Sequence, residues 1–331
     1  MSAGPRHALI PLDSRTDWDA ALTDVPHAFA HTWASCQATH LTTGLPTYLY
    51  RFELERVQIV CPIVERSCSG LVDIVTPYGF SGFAGTDECP VFPRQWAEFA
   101  AARGYVCGYV GLNPLLWRES YGRPPDVHQS NHIYVLDLSK SLEHLYAHLS
   151  ENRRRQLRSW DHDSRALAHE RPALIDFVLR HREEFLAARR ASRASHLSAS
   201  SLSLLLGQEN VFLAGAGRDG MLEAVSAFAY TETVGDFLFN VSVAGGARHS
   251  ALLIWYAVTR LKELKIPVLN LGGGIVENDS VAEFKKRFGA TALPLKSLKQ
   301  VYDRSAFEAL CRGAGVDPDD RGRYFPPYRR P

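Results

Sequence analysis

Apolar residues recur at helical spacing at Leu142, Leu145, Tyr146, Leu149 and Leu157, and again at Leu174, Ile175, Val178, Leu179, Phe185 and Leu186 behind Pro172. This pattern predicts two helices. A short helix over 200–206 stops at Gly207, and three extended runs follow over 211–216, 221–231 and 237–243. The breaks between them, Gly217-Arg218-Asp219-Gly220 and Thr233-Val234-Gly235-Asp236, carry hairpin turn chemistry, so the runs read as an antiparallel meander. A helix over 248–264, a β-branched strand over 266–271, a glycine run, a helix over 280–288 and a strand near 293–301 complete the order ααβββαβαβ. The first half repeats it loosely: a helix over 27–39, strands over 48–53, 57–64 and 71–76, a helix over 93–103 ended by Gly104, and a strand over 105–111. Pro124-Pro125 marks a junction between similar halves within 123–130.

With 331 residues, 46% of them hydrophobic, the chain can build two domain cores without metals or staples. The first twelve residues contain no apolar run, so neither a signal peptide nor membrane insertion is expected, and the location read from the sequence is cytoplasmic. Six cysteines without a Cys-x-x-Cys pair read as free packing thiols. Histidine pairs at four-residue spacing (His27/His31, His128/His132, His144/His148) lack a third ligand, so no metal is expected. Net charge is only +1, but residues 151–200 hold eleven arginines against seven acids. The middle of the chain is its basic part.

Helices, a meander and a βαβ crossover in that order are similar to the GNAT acyltransferase fold, in which parallel strands join antiparallel ones and the sheet splays at its centre. Three segments then resemble the FemAB family of peptidoglycan aminoacyltransferases and its relatives. Leu138-Ser139-Lys140 leads into Leu149-Ser150-Glu151-Asn152-Arg153-Arg154-Arg155-Gln156-Leu157-Arg158, similar to the family's Leu-Ser-x-Asn-x-Arg-Arg-x-Ile-Arg helix. Gly272-Gly273-Gly274 precedes Val281-Ala282-Glu283-Phe284-Lys285-Lys286-Arg287-Phe288-Gly289, similar to its Gly-Gly loop and Phe-Lys-x-x-Phe-Gly. Thr76-Pro77-Tyr78-Gly79-Phe80-Ser81-Gly82 resembles its Pro-Tyr-Gly-x-x-Gly.

The resemblance implies an α+β fold of two tandem GNAT-like modules, each a mixed, mainly antiparallel sheet flanked by helices. Residues 1–130 would form an acceptor-side module, 131–316 a catalytic donor-side module, and 317–331 a basic, Pro-rich, disordered tail. It implies an aminoacyltransferase, monomeric and cofactor-free, that moves an amino acid from aminoacyl-tRNA to an amine, either a cell-wall precursor or a small molecule of a specialised pathway such as antibiotic biosynthesis. Cys36 and Gln37, where relatives place a lysine, favour the small molecule. Lys285 would be the cation at the acceptor phosphate or the developing oxyanion, and as part of a Lys-Lys-Arg run it reads as exposed, with Phe284 and Phe288 packing. Asn240 lies on the strand that offers amides to the acyl carbonyl. Tyr78, Phe80, Gly273, Gly274 and Arg153 are substrate-binding candidates, and Arg154, Arg155 and Arg158 form a polar face for tRNA. Arg153 falls on the apolar stripe instead, where it would either reach an anion or pack its stem. Asp236, Glu277 and Asp279 are candidate bases. Two rivals stand beside this reading. An acyl-coenzyme A GNAT enzyme needs Arg/Gln-x-x-Gly-x-Gly/Ala before its helix, where this chain has Gly245-Gly246-Ala247-Arg248-His249-Ser250; the other rival is a non-catalytic tRNA-binding module.

Overall fold

The computed structural model describes residues 4–188, 197–274, 279–322 and 324–330. The strands are β1 (Arg6–Pro11), β2 (Thr47–Leu54), β3 (Val57–Cys68), β4 (Leu71–Val75), β5 (Ala84–Gly85), β6 (Tyr105–Gly111), β7 (Val127–Asp137), β8 (Val211–Arg218), β9 (Met221–Tyr230), β10 (Gly235–Ser242), β11 (Val268–Gly273) and β12 (Thr291–Val301). They belong to two compact units, Met1–Ser130 with Pro294–Pro331, and Asn131–Leu293. Each unit is a mixed, mainly antiparallel sheet with helices, an α+β arrangement as expected.

In the first unit β1, β2, β3 and β4 pair antiparallel in turn, β6 joins β4 in parallel, and the end of β12 pairs antiparallel with β6. The helix Phe92–Ala102 buries Phe92, Trp96 and Ala100 against Tyr50, Phe52 and Phe83. Its Trp96 Nε1 donates to Gln300 Oε1 of β12 at 2.9 Å. This corrects the expected division at residue 316: β12 past Leu293, the helix Arg304–Gly313 and the C-terminal residues belong with the first 130 residues. The expected disordered tail is likewise corrected. Phe325 is buried and stacks on Phe307 at 5.8 Å. Arg329 Nε donates to Asp73 Oδ2 at 2.5 Å, and Tyr328 Oη to the same oxygen at 3.1 Å. Asp73 in turn faces Arg66 across β3 and β4, with Nε at 2.7 Å.

His31, fully buried, fixes another part of this unit. Its Nε2 donates to the Gly82 carbonyl at 3.1 Å while the Ala28 amide donates to its Nδ1 at 3.3 Å, an arrangement that suits neutral imidazole. Burial, helped by the charge of His27, pulls its pKa from 6.5 down to about 3. The unfolded chain therefore binds a proton that the folded chain refuses, so stability present above pH 6.5 is lost as pH falls toward 3. The slope from this group reaches about 1.4 kcal/mol per pH unit. Melting temperatures of wild type and His31→Gln across that window should diverge, with the variant less acid-sensitive. Parallel curves would remove His31 from the account.

In the second unit the meander β8–β9–β10 is antiparallel, β11 joins β10 in parallel, and β7 pairs antiparallel with β11. The helix Ser250–Glu263 buries Leu253, Ile254, Ala257, Val258 and Leu261, and Leu145, Leu149 and Leu157 pack into the same core with Phe288. The stripe from Leu142 to Leu157 is two short helices, Leu142–Ala147 and Glu151–Gln156, and not one. Ser150 explains the break, because its hydroxyl accepts from Arg153 N and caps the second helix.

Candidate active site

The two parallel pairs differ. In the first unit β4 and β6 pair from Val72↔Tyr105 to the end of β4 at Val75↔Tyr109, with one register shift between Val72 and Ile74, and Thr76 continues the pairing: its amide donates to Tyr109 O at 3.1 Å and its Oγ1 accepts from Gly111 N at 3.0 Å. In the second unit, among the described residues, β10 pairs with β11 only at Gly235↔Leu269 and Asp236↔Asn270, although β10 runs on to Ser242. The sheet therefore splays beyond Asp236. Asp236, itself buried, takes a hydrogen bond from Asn270 Nδ2 at 3.0 Å at the closed end. Leu238 is an extra residue between Phe237↔Phe228 and Phe239↔Ala227, a bulge on the wall of the splay. Asn240, next along that wall, donates from Nδ2 to Ser226 Oγ at 2.9 Å.

The opposite wall ends in the glycine run, each member held. Gly272 has φ +75°, which favours glycine, and its amide donates to Asn270 Oδ1 at 2.8 Å. A Cβ on Gly273 would stand 2.9 Å from the His132 carbonyl oxygen, so glycine is needed there for close strand packing. Gly274 O accepts from Asn131 Nδ2 at 3.0 Å.

Lys285 reaches this wall from the helix Ser280–Lys286, whose N-cap Asp279 accepts from Ala282 N at 2.7 Å. Lys285 Nζ donates to Gly273 O at 2.5 Å. Lys285 is 6% exposed, which corrects the expectation that it is an exposed member of the Lys-Lys-Arg run. Three-residue steps supply the reason: Ala282, Lys285 and Phe288 form the buried face, leaving Phe284 half-buried and Arg287 exposed. Burial pulls the Lys285 pKa from 10.5 down to about 8, with Asp279 opposing. Of the candidate bases, Asp279 is spent on its helix and Glu277 lies outside the described residues.

The first and second motifs meet. The guanidinium of Arg153, 6% exposed, lies over the rings of Phe284 at 4.4 Å and Phe288 at 4.9 Å. Its Nη1 donates to Gln156 Oε1 at 2.5 Å, and its Nε is buried without a partner. Ser150 N donates to Arg287 O at 2.9 Å, and a Cβ on Gly289 would stand 2.9 Å from His148. Arg154, Arg155 and Arg158 are exposed; Arg189, Arg190 and Arg193 of the basic segment lie outside the described residues.

Tyr78 and Phe80 belong to the first unit. Tyr78 is 63% exposed, and the Phe80 carbonyl accepts from Asn113 Nδ2 at 2.8 Å. Gly82 has φ +82° and a Cβ there would lie 2.4 Å from Gly111 O, so the third motif is held against the end of β6.

The loop before the helix Ser250–Glu263 holds residues that sequence reasoning passed over. Residues Gly246–His249 form a 3-10 turn, and a Cβ on Gly246 would lie 2.1 Å from the Glu223 carbonyl oxygen. The Glu223 carboxylate accepts from His249 Nε2 at 2.7 Å and also from Arg248 Nη2. These bonds, His249 first, hold its pKa below the usual carboxylate value. Glu223 lies on β9, and no spacing rule links it to the loop.

No protein-family model and no curated protein matches the sequence. Solved structures do match. FemX is 10% identical with a TM-score of 0.65, covering 93% of this chain and 99% of its own. L-PGS from Bacillus licheniformis is 12% identical with a TM-score of 0.55, over 89% and 94%. A conserved protein of unknown function from Bacteroides thetaiotaomicron is 10% identical with a TM-score of 0.58, over 90% and 100%. At these identities the likeness is one of fold, and the chain has the fold of FemX and L-PGS.

Proposed function

We propose that this protein is an acyltransferase that moves an aminoacyl group from aminoacyl-tRNA to an amine, forming an amide, with the chemistry in the splay of the second unit. The observation that carries the proposal is the pairing of that splay with a buried lysine on the glycine wall. The Leu238 bulge lines one side, and Lys285 bonded to Gly273 O stands on the other. In the proposed reaction the acceptor nitrogen attacks the ester carbonyl, the C–N bond forms, the bond to the ribose oxygen breaks, and the amine's proton leaves to solvent or the ribose oxygen. The ester is already activated, so no nucleophilic side chain is needed. Positioning contributes up to about 7–11 kcal/mol and oxyanion stabilisation about 3–4 kcal/mol.

The Gly245–Ser250 loop supports a donor other than acyl-coenzyme A. A pyrophosphate there needs open amides at the helix start, whereas Glu223 brings a carboxylate, and Arg248 and His249 are engaged with it. The family resemblance of the motifs points the same way. The test is incubation with a pool of charged tRNAs and candidate amines, followed by mass spectrometry. The expected product is an amine heavier by one aminoacyl residue; its absence from every combination counts against the proposal.

The exposed Arg154, Arg155 and Arg158 would track the RNA backbone. Replacing all three by alanine should flatten the dependence of log Kd on log salt by about 0.7–0.9 for each phosphate no longer neutralised. Filter binding between low and high salt measures it, and an unchanged slope would leave these arginines as a solvated face.

A further inference from the structure

We infer that Arg153 is a positioning residue: stacked on Phe284 and Phe288, it sets the seat of the helix Ser280–Lys286 and thereby the place of Lys285 on the glycine wall. That helix is two turns long, too short to hold its own shape, so tertiary contacts must fix it. Lys285 ties it to Gly273 on one side. On the other, the Arg153 guanidinium lies over both phenylalanine rings, and Ser150 N reaches Arg287 O just past the helix end. A guanidinium buried beside another cation, with Nε lacking a partner, is a costly way to fill space. Where packing is the whole task, an apolar side chain of similar volume is as good or better. Retaining a flat cation between the two motifs makes sense if it aims the two rings, because a planar group fixes their tilt in a way a flexible hydrocarbon does not.

The inference rests on the proposed role of Lys285, but its test has an arm that does not. In Arg153→Met the stem volume is kept and the planar cation removed. The melting temperature should stay near wild type, while pulsed acylation read by mass spectrometry should show the Lys285 titration midpoint rising from about 8 toward the ordinary 10.5 as the helix loosens. In the transfer assay, kcat should fall about tenfold with both KM values unchanged. Arg153→Lys, which keeps the charge without the plane, should show the same shift and serves if the methionine variant does not fold. A folded variant whose Lys285 titrates as in wild type overturns the inference. A wild-type enzyme inactive with every donor would sink the proposed function while the titration still decides the role of Arg153.

Discussion

Lys285→Met is expected to lower turnover roughly 100-fold, the size of effect seen when one oxyanion-stabilising donor is lost. Methionine keeps the stem that packs beside Ala282 and Phe288 but removes the cation and leaves the Gly273 carbonyl without this donor. The lost bond should cost about 1–3 kcal/mol of stability, so this buried lysine does not behave as a surface residue. The same reading gives a pH limb. Lys285 carries its charge below about pH 8 and loses it above, so turnover at saturating acceptor should decline as pH rises through that value. If the cation holds an acceptor phosphate instead, the variant raises KM and spares kcat. Melting curves and kinetics of wild type and variant across pH 6–10 give the answer; unchanged kcat and KM would remove Lys285 from the site.

Asp73→Ala should produce the largest loss of stability in the first unit, about 3–5 kcal/mol, the usual cost of breaking a buried ion pair from one side. The Asp73 side chain is fully buried and joins Arg66, Arg329 and Tyr328 through hydrogen bonds. Removing it leaves two guanidiniums facing each other with no counter-charge. Arg329 also donates to the Arg66 and Ser67 carbonyls at 3.0 and 2.9 Å, so the C-terminal residues should let go as the unit weakens. Urea melts of the full chain and limited proteolysis near Tyr324 test both parts. A loss below about 1 kcal/mol with the C-terminus still protected contradicts the assignment.

Much of the fold was legible because burial follows period. The meander β8–β10, the helix Ser250–Glu263 and β11 lie within a few residues of their predicted spans, since apolar runs and turn residues there agree. Four of the elements that escaped show why. β1 is six residues with Pro11 at its end, and only Ile10 is buried while the rest are half-buried or exposed, so its alternation was faint. The helix Arg15–Leu22 buries only Trp18, Ala21 and Leu22. β7 starts at Val127, two residues after Pro124-Pro125, and runs first through the polar His128-Gln129-Ser130-Asn131, and so read as a linker. The helix Arg304–Gly313 buries just Phe307 and Cys311.

The candidate site was legible as motifs and not as geometry. Sequence order names Lys285, Gly273 and Arg153, but only the fold brings the Arg153 helix onto Phe284 and Phe288. The burial of Lys285 was in principle readable, since Ala282, Lys285 and Phe288 share a three-residue step, yet a charged run outweighed it. Glu223 lay outside reach, because its partners are twenty-five and twenty-six residues away across a strand pairing.

The central claim, that the donor is aminoacyl-tRNA, is tested most directly by following amide formation with one active amine while the donor is varied. Charged tRNA should support turnover, ribonuclease treatment should abolish it, and acyl-coenzyme A at the same concentration should give no product. Undiminished turnover with acyl-coenzyme A alone, or product formation that survives ribonuclease, would contradict the account.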